Sequence, residues 1–428
     1  MKRTTASFSI QNIDAIKQQM LSWVNRFNIC CFLDNHQYHS AHQTVECLAA
    51  AGAAQFISPK ENILESLRSF NNRHNDWLFG HISYDLKNEI SPLQSSHPDH
   101  IGFPILFFFQ PEIVLQLTGD TLTIASLTKD PTTVFAEITA CPLTMDHGHW
   151  SIEIRPRINK DNYIQTIETI RKHIQRGDCY ELNFCQEFYA THVVTDALQL
   201  YKALTAVSPN PFSCFYKLED KYVLCASPER YLQKKGNHLI SQPIKGTFKR
   251  DLGNAVADEV LKRELQQSEK DKSENVMVVD LVRNDLSKVC KEGSVRVDEL
   301  FGVYSFPQVH QMISTISGEL NEGVDLSDIL RASFPMGSMT GAPKRKVMEL
   351  VETYEQTKRG IYSGAVGYIS PEKDFDFNVV IRSILYNATN QYLSYLVGGG
   401  ITFYSDAEKE YMECLLKAEA IKQVLQGN

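Results

Sequence analysis

The chain has 428 residues, enough to bury a large core without disulfide or metal staples. Apolar residues make up 43% and charged residues 22%, the balance of an ordinary globular protein of two or three domains. A formal net charge of −8 argues against a nucleic-acid binder, yet it leaves anionic small molecules open, because a binding site is a local matter.

The opening "MKRTTASFSIQNIDAIKQQM" has basic residues but no apolar core, so it does not read as a signal peptide. Residues 13–27 carry a helical pattern, and "CCFLDN" and "WLFGHISYDL" read as strands. His36, His39 and His42 lie near Asp34 in a short polar stretch; they match no metal spacing and read as loop residues. The longest apolar run, "IGFPILFFFQPEIVLQL", is interrupted by Pro104, Gln110, Pro111 and Glu112. It predicts two strands joined by a turn rather than a membrane span. "DTLTIASL" is a further strand. The ten cysteines are scattered without a CxxC pair and read as small reduced core residues, which fits a cytoplasmic location.

A break is expected near Pro142–Trp150, separating residues 1–150 from residues 151–428. Beyond it, "KDNYIQTIETIRKHIQRGD" predicts an amphipathic helix stopped by Gly177, and "CYELNFCQEFYA" a strand. "YVLCASPERYLQKKGNHLISQPIKGTF" reads as strand, turn, strand, with the turn at Lys235, Gly236 and Asn237. Helix is expected from about Asn254 in two pieces, and again after Pro343. "YSGAVGYIS" and "FNVVIRSILY" read as strands, and "YLVGGGITFYSD" as a strand ending in a glycine triplet. The last helix is expected near Ser405, with Glu408 completing a capping box. Many strands with interspersed helices, and no regular βαβ series, indicate an α+β fold.

Several residue groups could carry chemistry. Lys245, in "QPIKGTFKR", suits a surface position, a phosphate grip or a nucleophile. Glu410 and Glu413 share one helical face, as a solvated acidic patch or as oxygen ligands for Mg²⁺; Glu274 precedes an apolar run. Gly398, Gly399 and Gly400 suit a tight turn or a close approach to the backbone. "FPMGSMTGAPKRK" is not a P-loop, because Ala342 and Pro343 separate Gly341 from Lys344, although a helix N-terminus there can still face an anion. Arg382, in an apolar strand, needs a carboxylate partner, internal or bound. His310 also sits in an apolar strand.

Each signal is weak alone, but their order is specific. "ASPER", "PIKGT", "SENVMVVDLVRNDL", "GSMTGAPK", "YSGAVGY", "VVIRS", "GGGI" and "EKEYMECLLKA" together resemble the chorismate-utilising enzymes. The resemblance is strong over residues 155–425 and fainter before. It implies an α+β fold of two face-packed antiparallel sheets with outer helices and intertwined halves. Residues 151–428 would form the chorismate-binding catalytic domain. Residues 1–150 resemble the region that binds tryptophan in anthranilate synthases, but "CFLDN" departs from their "LLES"-type motif and argues against tryptophan feedback.

The same resemblance implies roles. "PIKGT" is the wording of members that aminate chorismate at C4, with Lys245 as a covalent nucleophile and Glu229 as general acid. Lysine is nearly all ammonium at pH 7, so burial or a nearby cation is expected to lower its pKa. Glu274 and Glu413 match ligands for Mg²⁺, with Glu410 close by and reached through water. Tyr362, Arg382 and Gly398–Gly400 match positions that hold substrate carboxylates; Thr340 and Lys344 lie in a motif that lines the site, and His310 matches a site histidine. One departure concerns Glu181: the family's "GDxYQVN" is "GDCYELN" here. The water-adding members carry a lysine base there, so its absence argues against that chemistry and leaves Glu181 a site residue of open role. No glutaminase motif is present, so ammonia is expected from a glutamine amidotransferase subunit. An anthranilate-forming activity and a non-catalytic chorismate-binding protein are the alternatives.

Overall fold

The computed structural model describes residues 2–38, 42, 45–143, 150–306 and 308–427. His39 and most of the expected break at Pro142–Trp150 lie outside the described residues. Two runs of antiparallel strands form the framework. The first passes through Thr4–Ser9, Thr121–Ser126, Leu106–Thr118, Cys47–Ile57, Ile29–Asp34, Phe212–Leu218, Lys221–Ser227, Ser383–Asn387, Tyr392–Ile401 and Glu181–Ala190. The second starts on the early residues of Leu106–Thr118. It continues through Leu78–Ile82, Ala365–Ile369, Phe375–Asn378, Arg230–Lys235, His238–Gln242 and Val309–Glu319, which also pairs with Ile244–Lys249 and Arg296–Ser305.

The two runs pack face to face because their strands are apolar on both sides. Side chains alternate along a strand. Phe215 therefore joins one buried cluster, with helices Ile13–Val24, Lys160–Arg176 and Ala197–Val207. Its neighbours Cys214 and Tyr216 join a second cluster, shared with Phe79, Val366 and Phe377 of the other run. Helices thus cover the outside of a double sheet, as expected for an α+β chain. Truncating Phe215 to alanine would cost about 3–5 kcal/mol at such a site. Ile29–Asp34 pairs with Phe212–Leu218, and Leu78–Ile82 with Ala365–Ile369, so strands from both sides of residue 150 share these sheets. All ten cysteines are buried thiols. No helix among the described residues is long and apolar enough to cross a membrane.

Helix Lys160–Arg176 begins on an Asn159 cap and stops at Gly177, whose φ of +88° suits glycine. The two helical pieces after Asn254 are Ala255–Gln267 and Glu269–Ser287, the second capped by Ser268. Four expectations are corrected. "IGFPILFFFQPEIVLQL" holds one long strand, Leu106–Thr118; Pro111 sits in it at a register shift, where a proline costs no regular ladder bond. "FNVVIRSILY" is two strands, Phe375–Asn378 and Ser383–Asn387, with Arg382 between them at φ +50°. The glycine triplet does not end its strand, which runs to Ile401. The last helix is capped by Asp406 rather than Ser405, and a further helix, Glu419–Gln426, follows it.

Candidate active site

A cleft of about 890 Å³ opens where Tyr392–Ile401 and Glu181–Ala190 of one run approach Ile244–Lys249 of the other. Helix Glu269–Ser287 forms one wall and helix Ala407–Lys417 another. Lys245, Glu229, Glu274, Glu413, Tyr362, Arg382, Gly398 and Gly400 all line it. Eight residues singled out from scattered motifs therefore share one space.

Lys245 is buried, and its Nζ donates to Glu181 Oε1 at 2.5 Å. Burial disfavours the ammonium, but the carboxylates of Glu181, Glu274 and Glu229 outweigh burial and raise its pKa. The expected lowering is thus reversed, and Lys245 is held as an ammonium. Gly246, next to it, has φ +93° and turns the strand where its register shifts. Gly400, on the strand paired with that of Glu181, lies against the ion pair. A Cβ there would lie 2.3 Å from Glu181 Oε1 and 2.8 Å from Lys245 Nζ. A Cβ at Gly398 would meet Cys185 Sγ at 2.4 Å, whereas one at Gly399 would find only ordinary contacts.

Glu229 is buried and accepts a hydrogen bond from Ser338 Oγ at 2.6 Å. Burial pushes its carboxyl up to about 7, opposed by Ser338, Lys245 and Arg382. Arg382 lines the cleft in a left-handed backbone conformation, which costs energy outside glycine. Among the described residues no hydrogen bond or ion pair is recorded to its guanidinium; burial lowers its pKa to about 10, opposed by Glu229 alone, so it stays charged at neutral pH. An unpaired, half-buried guanidinium at a cleft is a grip for a carboxylate. Tyr362 stands beside it in the lining, with its hydroxyl 3.9 Å from Cys185 Sγ.

Three carboxylates gather around the ammonium of Lys270: Glu410 at 3.3 Å, Glu274 at 3.8 Å and Glu413 at 4.0 Å. Burial raises Glu274 to about 8, whereas the adjacent Lys417 brings Glu413 down to about 2. Glu274 Oε1 is buried without a hydrogen-bond partner. Hard oxygens with an unspent acceptor, already arranged around a cation, fit Mg²⁺ chemistry. No group of three potential ligands among the described residues is drawn together tightly enough to form a finished metal shell.

Three expected site residues are employed elsewhere. His310 is bonded to Asp258 Oδ1 at 3.0 Å and Ser305 Oγ at 2.9 Å and does not line the cleft. Its neighbour Gln311 does, with Oε1 buried and unpartnered, because adjacent strand residues face opposite sides. Lys344 is bound to Asp285 and to the Ser333 carbonyl. Thr340 donates to the Met336 carbonyl, while its own carbonyl accepts from the Asn183 amide and so fixes the strand that carries Glu181. Sequence reasoning missed Ser338, Gln311, Lys270 and Lys417. The last three were hidden as a strand neighbour and as lysines four residues from a glutamate, a spacing usual on solvated helices.

A double sheet with this cleft places the chain in a recognisable class: it belongs to the chorismate binding enzyme family, whose model matches residues 28–423. Particular relatives sharpen the comparison. The chain is 38% identical over 273 residues to aminodeoxychorismate synthase component 1 of Klebsiella aerogenes, covering 64% of this chain and 60% of that protein. It is 42% identical over 271 residues to a probable chloroplastic aminodeoxychorismate synthase of Oryza sativa subsp. japonica, covering 63% of this chain and 30% of that protein. The matched part is thus less than two thirds of either relative. The crystal structure of anthranilate synthase component I from Streptococcus pneumoniae superposes with a TM-score of 0.78 at 25% identity, covering 92% of this chain and 95% of that one.

Proposed function

We propose that this chain is an aminodeoxychorismate synthase component 1, which replaces the C4 hydroxyl of chorismate by an amino group. The observation that carries this reading is Lys245, buried in the lining of the cleft and flanked by Glu181 and by Glu229, a carboxyl that is partly protonated near neutrality. Lysine is a competent covalent nucleophile once a neighbouring base takes its proton.

Chorismate would enter with its carboxylates toward Arg382 and Tyr362. The Lys245 amine attacks C2; the C1–C2 π pair moves to C1–C6, the C5–C6 pair moves to C4–C5, and the C4–O bond breaks. Glu229 delivers its proton to the departing oxygen, which leaves as water. Ammonia then attacks C4, the π pairs shift back, and the C2–N bond to Lys245 breaks. Glu229 recovers a proton from the new C4 ammonium. Glu274, Glu413 and Glu410 would hold Mg²⁺, which when bound supplies positive charge for a substrate carboxylate. The ammonia would come from a glutamine amidotransferase partner, and the product would feed 4-aminobenzoate and folate synthesis through a separate lyase.

Incubation with chorismate, Mg²⁺ and ammonium, followed by chromatography and mass analysis, tests the assignment. The expected product keeps the enolpyruvyl group and gains nitrogen at C4. Fluorescent anthranilate with released pyruvate would instead identify the anthranilate-forming reaction.

A further inference from the structure

The proposed chemistry needs Lys245 as a free amine, yet the surrounding carboxylates hold it as an ammonium. Lys245 Nζ touches one carboxylate directly, that of Glu181, at 2.5 Å. Glu181 is 1% exposed, and its second oxygen, Oε2, is buried without a hydrogen bond. The carboxylate is therefore not committed to another donor. The wall opposite is the bare backbone of Gly400, so close that a methyl group would collide with both partners. The Ala342 strand partner on the other side keeps Glu181 fixed in register.

We propose, on the reading that Lys245 is the nucleophile, that Glu181 is its proton acceptor, so that the ammonium proton passes from Nζ to Oε1 as the amine attacks chorismate. The step is balanced. An ammonium and a carboxylate become a neutral amine and a carboxylic acid, the amine lone pair forms the bond to C2, and the proton returns to Lys245 when ammonia expels it from C2. The proton transfer leaves the buried pair neutral, and the positive charge that the new C2–N bond places on Nζ is matched by the Glu229 carboxylate formed as its proton goes to the departing oxygen, which suits a site where isolated charges are costly. The other carboxylates facing Lys245 act on it through charge alone: Glu229 is held by Ser338, and Glu274, 3.8 Å from Lys270, is not hydrogen-bonded to Lys245. The cations on that side, Lys270 and Lys417, face Glu410 and Glu413. Glu181 thus converts the family position usually written as glutamine into a proton site.

Glu181→Gln isolates the step, because it preserves size and a hydrogen-bond acceptor and removes only the proton site. Chorismate is mixed with enzyme without ammonia, and the covalent adduct is followed by intact-protein mass spectrometry between pH 6 and 9. The wild-type rate is expected to change little with pH across that range, apart from the contribution of Glu229. Glu181→Gln is expected to form the adduct about a hundredfold more slowly at pH 7, the usual scale of a lost general base, and to speed up as pH rises. Glu181→Asp is expected to recover part of the rate without the pH dependence, and chorismate binding by fluorescence titration checks that each variant is folded. An adduct formed by Glu181→Gln at the wild-type rate or faster would overturn the proposal and leave Glu181 as a charge that merely raises the lysine. Wild-type enzyme that forms product while Lys245→Ala does the same would instead remove the nucleophile reading itself.

Discussion

Gly400→Ala is the sharpest structural perturbation of the cleft. The added Cβ would stand 2.3 Å from Glu181 Oε1, and ordinary contact begins at 3.4 Å, so the carboxylate or the strand must move by about 1 Å. The same methyl would press on Lys245 Nζ at 2.8 Å. Overpacking of this kind costs about 1–3 kcal/mol of stability, and a 1 Å misplacement of a reacting group costs about a hundredfold in rate. Gly399→Ala is the internal comparison: its nearest neighbours would be Glu410 Oε2 at 3.4 Å and Lys417 Nζ at 3.8 Å, both ordinary contacts. Ammonium-dependent kcat/KM for chorismate, measured beside thermal unfolding, should fall about a hundredfold in Gly400→Ala and far less in Gly399→Ala. Equal losses in the two, or a Gly400→Ala enzyme within about twofold of wild type, would refute the crowded contact between Gly400 and the ion pair.

Other expected outcomes concern the acid, the carboxylate grip and the misplaced histidine. Glu229 must be protonated to serve as an acid, and burial sets its titration near 7, so kcat/KM should decline as pH rises through about 7; Glu229→Gln should lose most activity and this limb with it. Arg382→Met should raise KM for chorismate, by about ten- to a hundredfold for a lost charge-assisted hydrogen bond, as read by initial rates. Gln311→Ala should raise KM, whereas His310→Ala should lower thermal stability by about 1–3 kcal/mol through its lost bonds to Ser305 and to Asp258, which Arg250 still holds; the opposite pattern would return the histidine to the site. Lys344→Met should destabilise the fold by about 1–3 kcal/mol by leaving Asp285 Oδ2 and the Ser333 carbonyl without their donor, Lys288 staying on Asp285 Oδ1, with little change in the KM of the enzyme that remains folded.

Much of the scaffold was legible because local signals and tertiary packing agreed. Helix Lys160–Arg176 carries its buried face at Tyr163, Ile167, Ile170 and Ile174 and ends at a glycine. The strand leading into the glycine triplet and the two capped helices after Asn254 were equally plain. Errors arose where the determining contact is distant in sequence. "FNVVIRSILY" is apolar throughout, so nothing local reveals the left-handed turn at Arg382 that aims its guanidinium into the cleft. The assignment of His310 was one residue off, because a strand apolar on both faces does not disclose which parity faces the cleft. Lys245 was visible as a candidate, but its charge state depends on Glu181, 64 residues earlier in the chain, and no spacing rule could supply that partner. The lysines among these carboxylates were hidden for a related reason: Lys270 and Lys417 look like routine helical ion pairs until Glu274, Glu410 and Glu413 are seen to converge.

A covalent bond between Lys245 and the substrate is central to the proposed reaction. Enzyme mixed with chorismate and Mg²⁺ in the absence of ammonia, quenched in acid, digested and mapped by mass spectrometry, examines that bond directly. A peptide carrying chorismate less one water on Lys245, which disappears when ammonium is added, is the predicted result. Steady production of the C4 amine with every Lys245 peptide unmodified, and with Lys245→Ala still active, would contradict it.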